Sequence, residues 1–428
     1  MKIVLNKSLY YMGEEAKTRI FGRQDVILGE RFFAFLLAMS PILQHYKGPI
    51  GNAGITAISV SLLFYVIKGM MCGLMGGVLY RGKEIALVFP LMIFSLYKAT
   101  VHGVNMMNLL HAFVIIAYYL LIAEGYINLG CVLRMSYGIS VAASILMLLQ
   151  NISYYLFGVH IQTVPVPLLL PESSDWIGAV QTGHIAINGA YSALYRPSAF
   201  FLEPSHMFLY LFPVLYLLLL SPDMNRWKKR SAVLLSVAMI LSTSGMGIMI
   251  VAMGWVLYYS LGDGKRNQIK IKNILKGKNL AILCVAIVVA VIVARSVPTL
   301  WQSVERILSG DAISGRVTRS SDLLDTLSGG DFLLGVTNTL EGIEFNMSGF
   351  AATLYKFGVI GIVLSYTFYV YSALRLDAPY NWIGRVILVV SFFSAHTHGT
   401  LFMLYYVMIL LRGCHARQSQ KGVWEKNG

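Results

Sequence analysis

The side chains best suited to chemistry in this sequence lie in one run, Arg196-Pro-Ser-Ala-Phe-Phe-Leu-Glu203-Pro-Ser-His206. Pro204 suits the first position of a helix, because its missing N–H is one that a helix start leaves unpaired. Glu203 then takes the cap position, and His206 lies three residues on in the first turn. A carboxylate, an imidazole and free backbone N–H groups together can accept a proton from a hydroxyl and hold an anion. The alternative is an ordinary helix start, with Glu203 as a cap and His206 in a hydrated turn.

Two further arginines, Arg316 and Arg319, lie in a polar stretch that is otherwise rich in acids. Guanidinium groups make paired hydrogen bonds to phosphate, so both arginines, like Arg196, are candidates for binding an anion. The alternative is that they form surface ion pairs with neighbouring acids such as Asp311 and Asp322. The stretch is no nucleotide-binding loop, because the GxxxxGK[ST] pattern is absent.

Two short polar segments separate apolar runs, Ser242-Thr-Ser-Gly245 and His396-Thr-His398. We interpret both as hydrated turns at the tips of helical hairpins. Two histidines at a spacing of two residues also suggest a metal, but no carboxylate accompanies them in the sequence. The sequence therefore predicts no metal site and no other cofactor.

The elements that must position these residues are membrane helices. The chain has 428 residues, of which 57% are hydrophobic and only 13% charged, which is typical of a polytopic all-α membrane protein. Its net charge of +14 is concentrated in clusters beside apolar runs, such as residues 226–230 and 265–278. This pattern favours contact with anionic lipid and excludes nucleic acid as a partner. The four cysteines are far apart in sequence and predict no disulfide framework.

Two long polar loops, residues 151–199 and 296–347, contain no lysine, whereas lysine and arginine crowd the short loops and both ends. Basic residues stay on the cytoplasmic side, so both long loops are expected outside the cytoplasm. A single membrane domain, residues 1–428, is expected, with a leader (1–31) and a tail (412–428) that are both cytoplasmic. About twelve membrane-spanning helices are expected, near residues 32–46, 51–67, 85–99, 108–123, 129–150, 200–220, 231–241, 246–259, 280–294, 350–374, 386–394 and 401–411.

With these features the chain resembles the Wzy family of O-antigen, capsule and exopolysaccharide repeat-unit polymerases, which is related to the O-antigen ligases. The resemblance is carried by the segment that ends in Glu203-Pro-Ser-His206, which is its most specific part, and by looser patterns elsewhere. These are the Ser-Thr-Ser-Gly245 turn, Ser-Gly-Arg316 leading to Leu334-Gly335, Asn346-Met-Ser348, Leu354-Tyr-Lys-Phe-Gly358 with Gly361, and an Arg-x10-Gly spacing from Arg319 to Gly330. Related ligases often carry a His-Asn pair where this chain has Phe345-Asn346, which favours a polymerase.

The resemblance implies a glycosyltransferase of GT-C-like architecture in the bacterial inner membrane that uses no nucleotide sugar and no metal. Its substrates would be oligosaccharides on undecaprenyl diphosphate, and a flippase and a chain-length regulator would work beside it in the lipid bilayer. Glu203 or His206 would receive the proton of the accepting sugar hydroxyl. Arg196, Arg316 and Arg319 would stabilise the departing diphosphate.

Two other functions remain open at this point. A ligase would take the same donor but pass the glycan to another acceptor. A flippase or transporter would carry ionisable residues near the bilayer midplane, whereas the polar residues here concentrate in the outer loops.

Overall fold

The computed structural model describes residues 25–49, 51–74, 82–101, 103–161, 163, 166–170, 197–221, 225–261, 295, 301, 305, 320–321, 324–336 and 348–427. This part of the chain is mostly helical. Its helices are α1 Asp25–Leu43, α2 Ala53–Leu74, α3 Gly82–Thr100, α4 Met106–Ala123, α5 Leu129–Phe157, α6 Pro204–Leu219, α7 Arg226–Leu241, α8 Gly245–Leu261, α9 Gly329–Leu334, α10 Gly349–Arg375, α11 Tyr380–Phe393 and α12 Thr400–Asn427. Two 3-10 turns, η1 Val166–Leu168 and η2 Ala395–His398, and a small hairpin of β1 Lys47–Gly48 and β2 Gly51–Asn52 complete it.

The all-α membrane class is consistent with this architecture. Within the described residues, four helices are long and apolar enough to cross a membrane: Ala53–Met71, Met106–Ala123, Leu129–Phe157 and Gly349–Arg375. Four shorter apolar helices accompany them: Pro204–Leu219, Gly245–Ser260, Tyr380–Phe393 and Thr400–His415. A helix lies at each position where the sequence predicts a span, except residues 280–294, which lie outside the described residues.

One helix is longer than the sequence suggests. The expected first loop begins at Asn151, but α5 continues to Phe157. The residues between are largely apolar, and nothing among them breaks a helix. The helix ends only at Gly158, whose φ of 67° is the left-handed conformation that glycine adopts at helix C-termini. The first loop therefore starts about two turns later than expected.

Helices α6 and α12 form the centre of the bundle. Nearly every described side chain of α6 is buried, and residues 401–411 of α12 are all buried. Because these side chains are buried on every side, both helices lie among the other helices of the bundle. Most of the basic residues lie at the end of the bundle where α6 and α12 finish. There Lys68 of α2 forms an ion pair of 2.6 Å with Glu30 of α1. The two central helices begin at the opposite end, and both start beside polar residues.

A proline in α6 explains how the two central helices are joined. Pro213 has no N–H, so the carbonyl of Leu209, four residues earlier, lacks its helical donor. The Tyr406 hydroxyl of α12 donates to that carbonyl at 3.1 Å, and the Tyr405 hydroxyl donates to the carbonyl of Tyr210, also at 3.1 Å. Two buried tyrosines thus satisfy backbone groups beside the proline.

Replacing Tyr406 with Phe is expected to destabilise the protein by about 1–3 kcal/mol, because it leaves the buried Leu209 carbonyl without a donor. Thermal unfolding of the purified protein in detergent measures the change. Tyr371→Phe is the control, because the Tyr371 side chain is 44% exposed. Equal melting temperatures for the two variants would contradict this account of the proline.

Helix α10 is interrupted at Gly358, which has φ 61° and ψ −169°. The end of α9 packs into this break: the Val336 N–H donates to the Tyr355 carbonyl at 2.8 Å. A Cβ on Gly358 would lie 2.2 Å from the carbonyl oxygen of Leu333, and one on Gly335 would lie 2.2 Å from that of Lys356. The two glycines are therefore required for the close approach of two backbones. They join the described part of the second loop to α10.

Candidate functional site

Glu203 occupies the N-cap position of α6 and Pro204 its first turn, as the sequence predicts. The Glu203 side chain, however, makes no capping hydrogen bond in the described structure. Its Oε1 atom instead accepts a hydrogen bond from the Ser205 hydroxyl and lies 3.2 Å from Nε2 of His396. Nε2 of His206 is 3.8 Å away from the same oxygen. Glu203 therefore occupies the cap position, but its carboxylate is used by Ser205 and His396 and caps no backbone N–H.

His206 lies in the first turn of α6. The interpretation that this turn is hydrated is wrong, because the His206 side chain is only 3% exposed. Its ring packs against those of His45 and His396, with centroids 4.6 Å and 4.3 Å away. Among the described residues, neither of its ring nitrogens has a hydrogen-bond partner. A buried imidazole without hydrogen bonds is costly and marks a site with unused binding capacity.

His45 joins the site from the segment after α1, and no motif in the sequence around it indicates this position. Leu170 donates its N–H to the His45 carbonyl at 2.9 Å. Leu169 packs with Tyr46 and Leu202, so this part of the first loop contacts the chain neighbours of His45 and Glu203. Burial, followed by repulsion from His396, lowers the pKa of His45 to about 4, although Glu203 opposes the shift. His45 is therefore neutral at physiological pH.

Gln150, in the last turns of α5, fixes the segment that leads into Glu203. Its Oε1 accepts the Ala199 N–H at 2.9 Å, and its Nε2 donates to the Ile161 carbonyl at 3.1 Å and to Thr163. Ala199 has a φ of 51°, which is uncommon for a residue with a side chain. One glutamine amide thereby ties both described ends of the first loop to the bundle.

The charge of Glu203 is stabilised by its surroundings. Burial by itself raises the pKa of the carboxyl group, but the hydrogen bonds from His396 and Ser205 and the nearby His206 ring outweigh it. The result is a pKa well below the usual range for glutamate. Glu203 is thus an ionised carboxylate held beside the rings of His206 and His396.

The turn η2 joins this cluster to a second polar group. His396 faces Glu203, while Nε2 of His398 lies 3.2 Å from the Tyr366 hydroxyl. Lys98 donates at 3.2 Å to the His398 carbonyl and to the Thr400 hydroxyl. Burial, followed by the charge of Lys98, lowers the pKa of His398 to about 3.

The interpretation of the two polar turns as hydrated tips is wrong. In η2, Thr397 is fully buried and His398 is 5% exposed. In the turn between α7 and α8, Ser242, Thr243 and Ser244 are all buried. Both turns pack against other helices, which a sequence pattern of polar residues cannot indicate.

Lys98 is a residue that the sequence argument missed. It lies in the last turn of α3, at the end of the bundle that carries Glu203, and Lys356 of α10 is near enough for its charge to act on Lys98. Lys98 forms no ion pair with an acid in the described part of the chain. One feature of the sequence does indicate Lys98: it is a lysine at the end of a predicted span, and that end lies away from the basic clusters.

The candidate anion-binding residues Arg196, Arg316 and Arg319 lie outside the described residues, as does the Phe345-Asn346 pair. Ser320, the residue after Arg319, accepts the N–H of Ser348 at 3.2 Å, at the start of α10. A Cβ on Gly349, the next residue, would lie 2.4 Å from the carbonyl oxygen of Ser394, two residues before His396. An open cleft lies between α3 and α9; its lining residues are Tyr97, Val101, Gly330, Asp331, Leu334 and Gly335.

The site therefore combines a carboxylate, three imidazoles and a nearby lysine at one end of an apolar bundle. The carboxylate can accept a proton, and the lysine can bind an anion. The donor atoms of Glu203, His206 and His396 also lie within 4.8 Å of one another, close enough to bind one metal ion. Comparison of the chain with family models, with curated proteins and with solved structures finds no match.

Proposed function

We propose that the protein is a membrane glycosyltransferase that joins oligosaccharide repeat units carried on undecaprenyl diphosphate into a longer polysaccharide. The growing chain leaves its lipid diphosphate and is transferred to a sugar hydroxyl of the next lipid-linked unit. The product is an O-antigen, a capsule or an exopolysaccharide. The polarity of the site and the resemblance of its Glu203-Pro-Ser-His206 segment to the Wzy polymerases support this proposal.

The observation that carries the proposal is the ionised Glu203 carboxylate at the start of α6, which makes no capping hydrogen bond and lies beside His206 and His396. A sugar hydroxyl is a weak nucleophile, and a carboxylate within hydrogen-bond reach removes its proton as the new bond forms. His396 is the more accessible ring, with 36% of its side chain exposed. It orients the carboxylate from the open side of the site.

The leaving group of this reaction is an anionic diphosphate, which requires cations near the proton acceptor. Lys98 supports such a role because it lies beside η2 and has no acidic partner among the described residues. Positive charge positioned where negative charge develops is a large contribution to catalysis. Arg196, Arg316 and Arg319, from the two long loops, are proposed to complete the diphosphate site.

In this proposal the protein is a GT-C-like enzyme of the bacterial inner membrane with about twelve spans and both termini in the cytoplasm. Glu203 then opens to the outer face, where lipid-linked units arrive from a flippase. A chain-length regulator is the other expected partner. The lysine-free loops and the basic residues gathered at the opposite end of the helices support this orientation.

A strain that lacks the gene tests the proposal. Loss of a polymerase leaves one repeat unit on the final acceptor, where the parent strain shows a ladder of chain lengths on a gel. Loss of a ligase instead leaves long chains on the carrier lipid, and loss of a flippase leaves single units on the cytoplasmic leaflet. Either of these two results, or an unchanged ladder, would overturn the proposal.

A further inference from the structure

We infer that Glu203, His206 and His396 bind one divalent cation of the zinc class. Resemblance to the Wzy polymerases implies no metal, and the sequence predicts none on the premise that no carboxylate accompanies His396 and His398. That premise is wrong, because the fold brings Glu203 to 3.2 Å from His396. Two imidazoles and a carboxylate form a common ligand set for a zinc ion that keeps a fourth position open.

The distances between the donor atoms fit such an ion. Zinc lies about 2.0–2.2 Å from nitrogen and oxygen ligands, so two tetrahedral ligands are about 3.3 Å apart. Glu203 Oε1 is 3.2 Å from Nε2 of His396 and 3.8 Å from Nε2 of His206. All three donor atoms lie within 4.8 Å of one another. The three donor atoms are thus close enough together to share one ion.

The environment of His206 is a second observation, independent of these distances, that points to a bound ligand. The ring is 3% exposed, faces the Glu203 oxygen, and has no hydrogen bond on either nitrogen within the described residues. Nε2 of the adjacent His45 is likewise buried and without a hydrogen bond there. A cation at this place provides a partner for His206, whose two ring nitrogens otherwise have none among the described residues, and His45 packs against that ring.

The ligand set also selects the kind of ion. Imidazole nitrogens suit zinc and its transition-metal neighbours, whereas magnesium and calcium require mostly oxygen ligands. Both ligating Nε2 atoms must be unprotonated, with the ring proton on Nδ1. An ion there occupies Glu203 Oε1, so the proposed sugar transfer applies to the ion-free protein. Binding itself does not depend on the transfer reaction.

The test is made on the full-length chain, purified in detergent, stripped with a chelator and incubated with Zn²⁺ alone. After removal of free ion, the metal content is measured by mass spectrometry. The wild-type protein is expected to retain about one ion per chain and, when loaded with Co²⁺ instead, to show visible absorption typical of four or five ligands. The absence of a retained ion would overturn the inference, whatever the outcome of the transfer assays.

Three variants locate the ion. His396→Ala removes a partly exposed ligand, so this variant is expected to fold, and His206→Gln removes the buried one. Both are expected to lower retained zinc to near zero. His160→Ala is the matched control, because His160 is exposed and outside the cluster, and it is expected to bind zinc like the wild type. Retention of the ion by His396→Ala, or its loss from the control alone, would place it elsewhere and overturn the inference.

Discussion

Replacing Glu203 with Gln is expected to lower polysaccharide formation about 10²–10⁴-fold, while lipid-linked single units accumulate and protein abundance stays normal. Glutamine has nearly the same shape and still accepts the hydrogen bonds from Ser205 and His396 that the structure shows. It cannot take up a proton, so only the proposed acid–base role is removed. The chain-length ladder and the pool of lipid-linked units are the quantities to be measured.

Asp325→Asn is the matched control, because it makes the same carboxylate-to-amide change at an exposed position in the second loop. It is expected to leave the ladder unchanged. Normal chain formation by Glu203→Gln at normal abundance would remove Glu203 from the proposed mechanism. An equal loss in both variants would show that the effect comes from the charge of the outer loops and not from the site.

Replacing Gly358 with Ala is expected to have the largest structural effect. Its φ of 61° with ψ −169° is available almost only to glycine, and strain of this kind costs about 1–3 kcal/mol. The added Cβ would also lie 2.2 Å from the carbonyl oxygen of Leu333, where only backbone can move away. The end of α9 is therefore expected to separate from α10, with a lower melting temperature and increased proteolysis near residues 329–336.

Gly138→Ala is the control for this prediction. Gly138 lies within α5, and a Cβ there would meet no other atom within 4 Å. Alanine at such a helical position stabilises by about 0.5–1 kcal/mol relative to glycine. The two substitutions are chemically identical and should change the melting temperature in opposite directions. A Gly358→Ala protein as stable as the wild type would show that the contact between α9 and α10 is not required.

The start of α6 illustrates how much a local pattern can determine. The order of Glu203, Pro204 and His206 was sufficient to predict the cap position, the first helical residue and the spacing of the two polar side chains. The positions of the apolar runs predicted nearly all the described helices for the same reason, since helix formation depends on neighbours a few residues away. The end of α5 was predicted too early because no local signal before Gly158 marks it.

The chemical environment of those residues was decided by the tertiary structure. His45 and His396 are 158 and 193 residues from Glu203 in sequence, yet both lie beside its cluster. Local patterns carry no information about which distant segments will meet, because that depends on how whole helices pack around α6 and α12. For the same reason, the burial of His398 and Ser242 contradicts the hydrated turns that their polarity suggested.

The sequence by itself thus determined the membrane class, the helical segments and a carboxylate and histidine at one helix start. Only the tertiary structure brought His396 to that carboxylate, packed His45 against His206 and placed Lys98 next to η2. These contacts make Glu203 a candidate proton acceptor and metal ligand. The physical reason is that propensity and hydrophobicity act over a few residues, whereas desolvation and charge act between whatever groups the packed helices bring together.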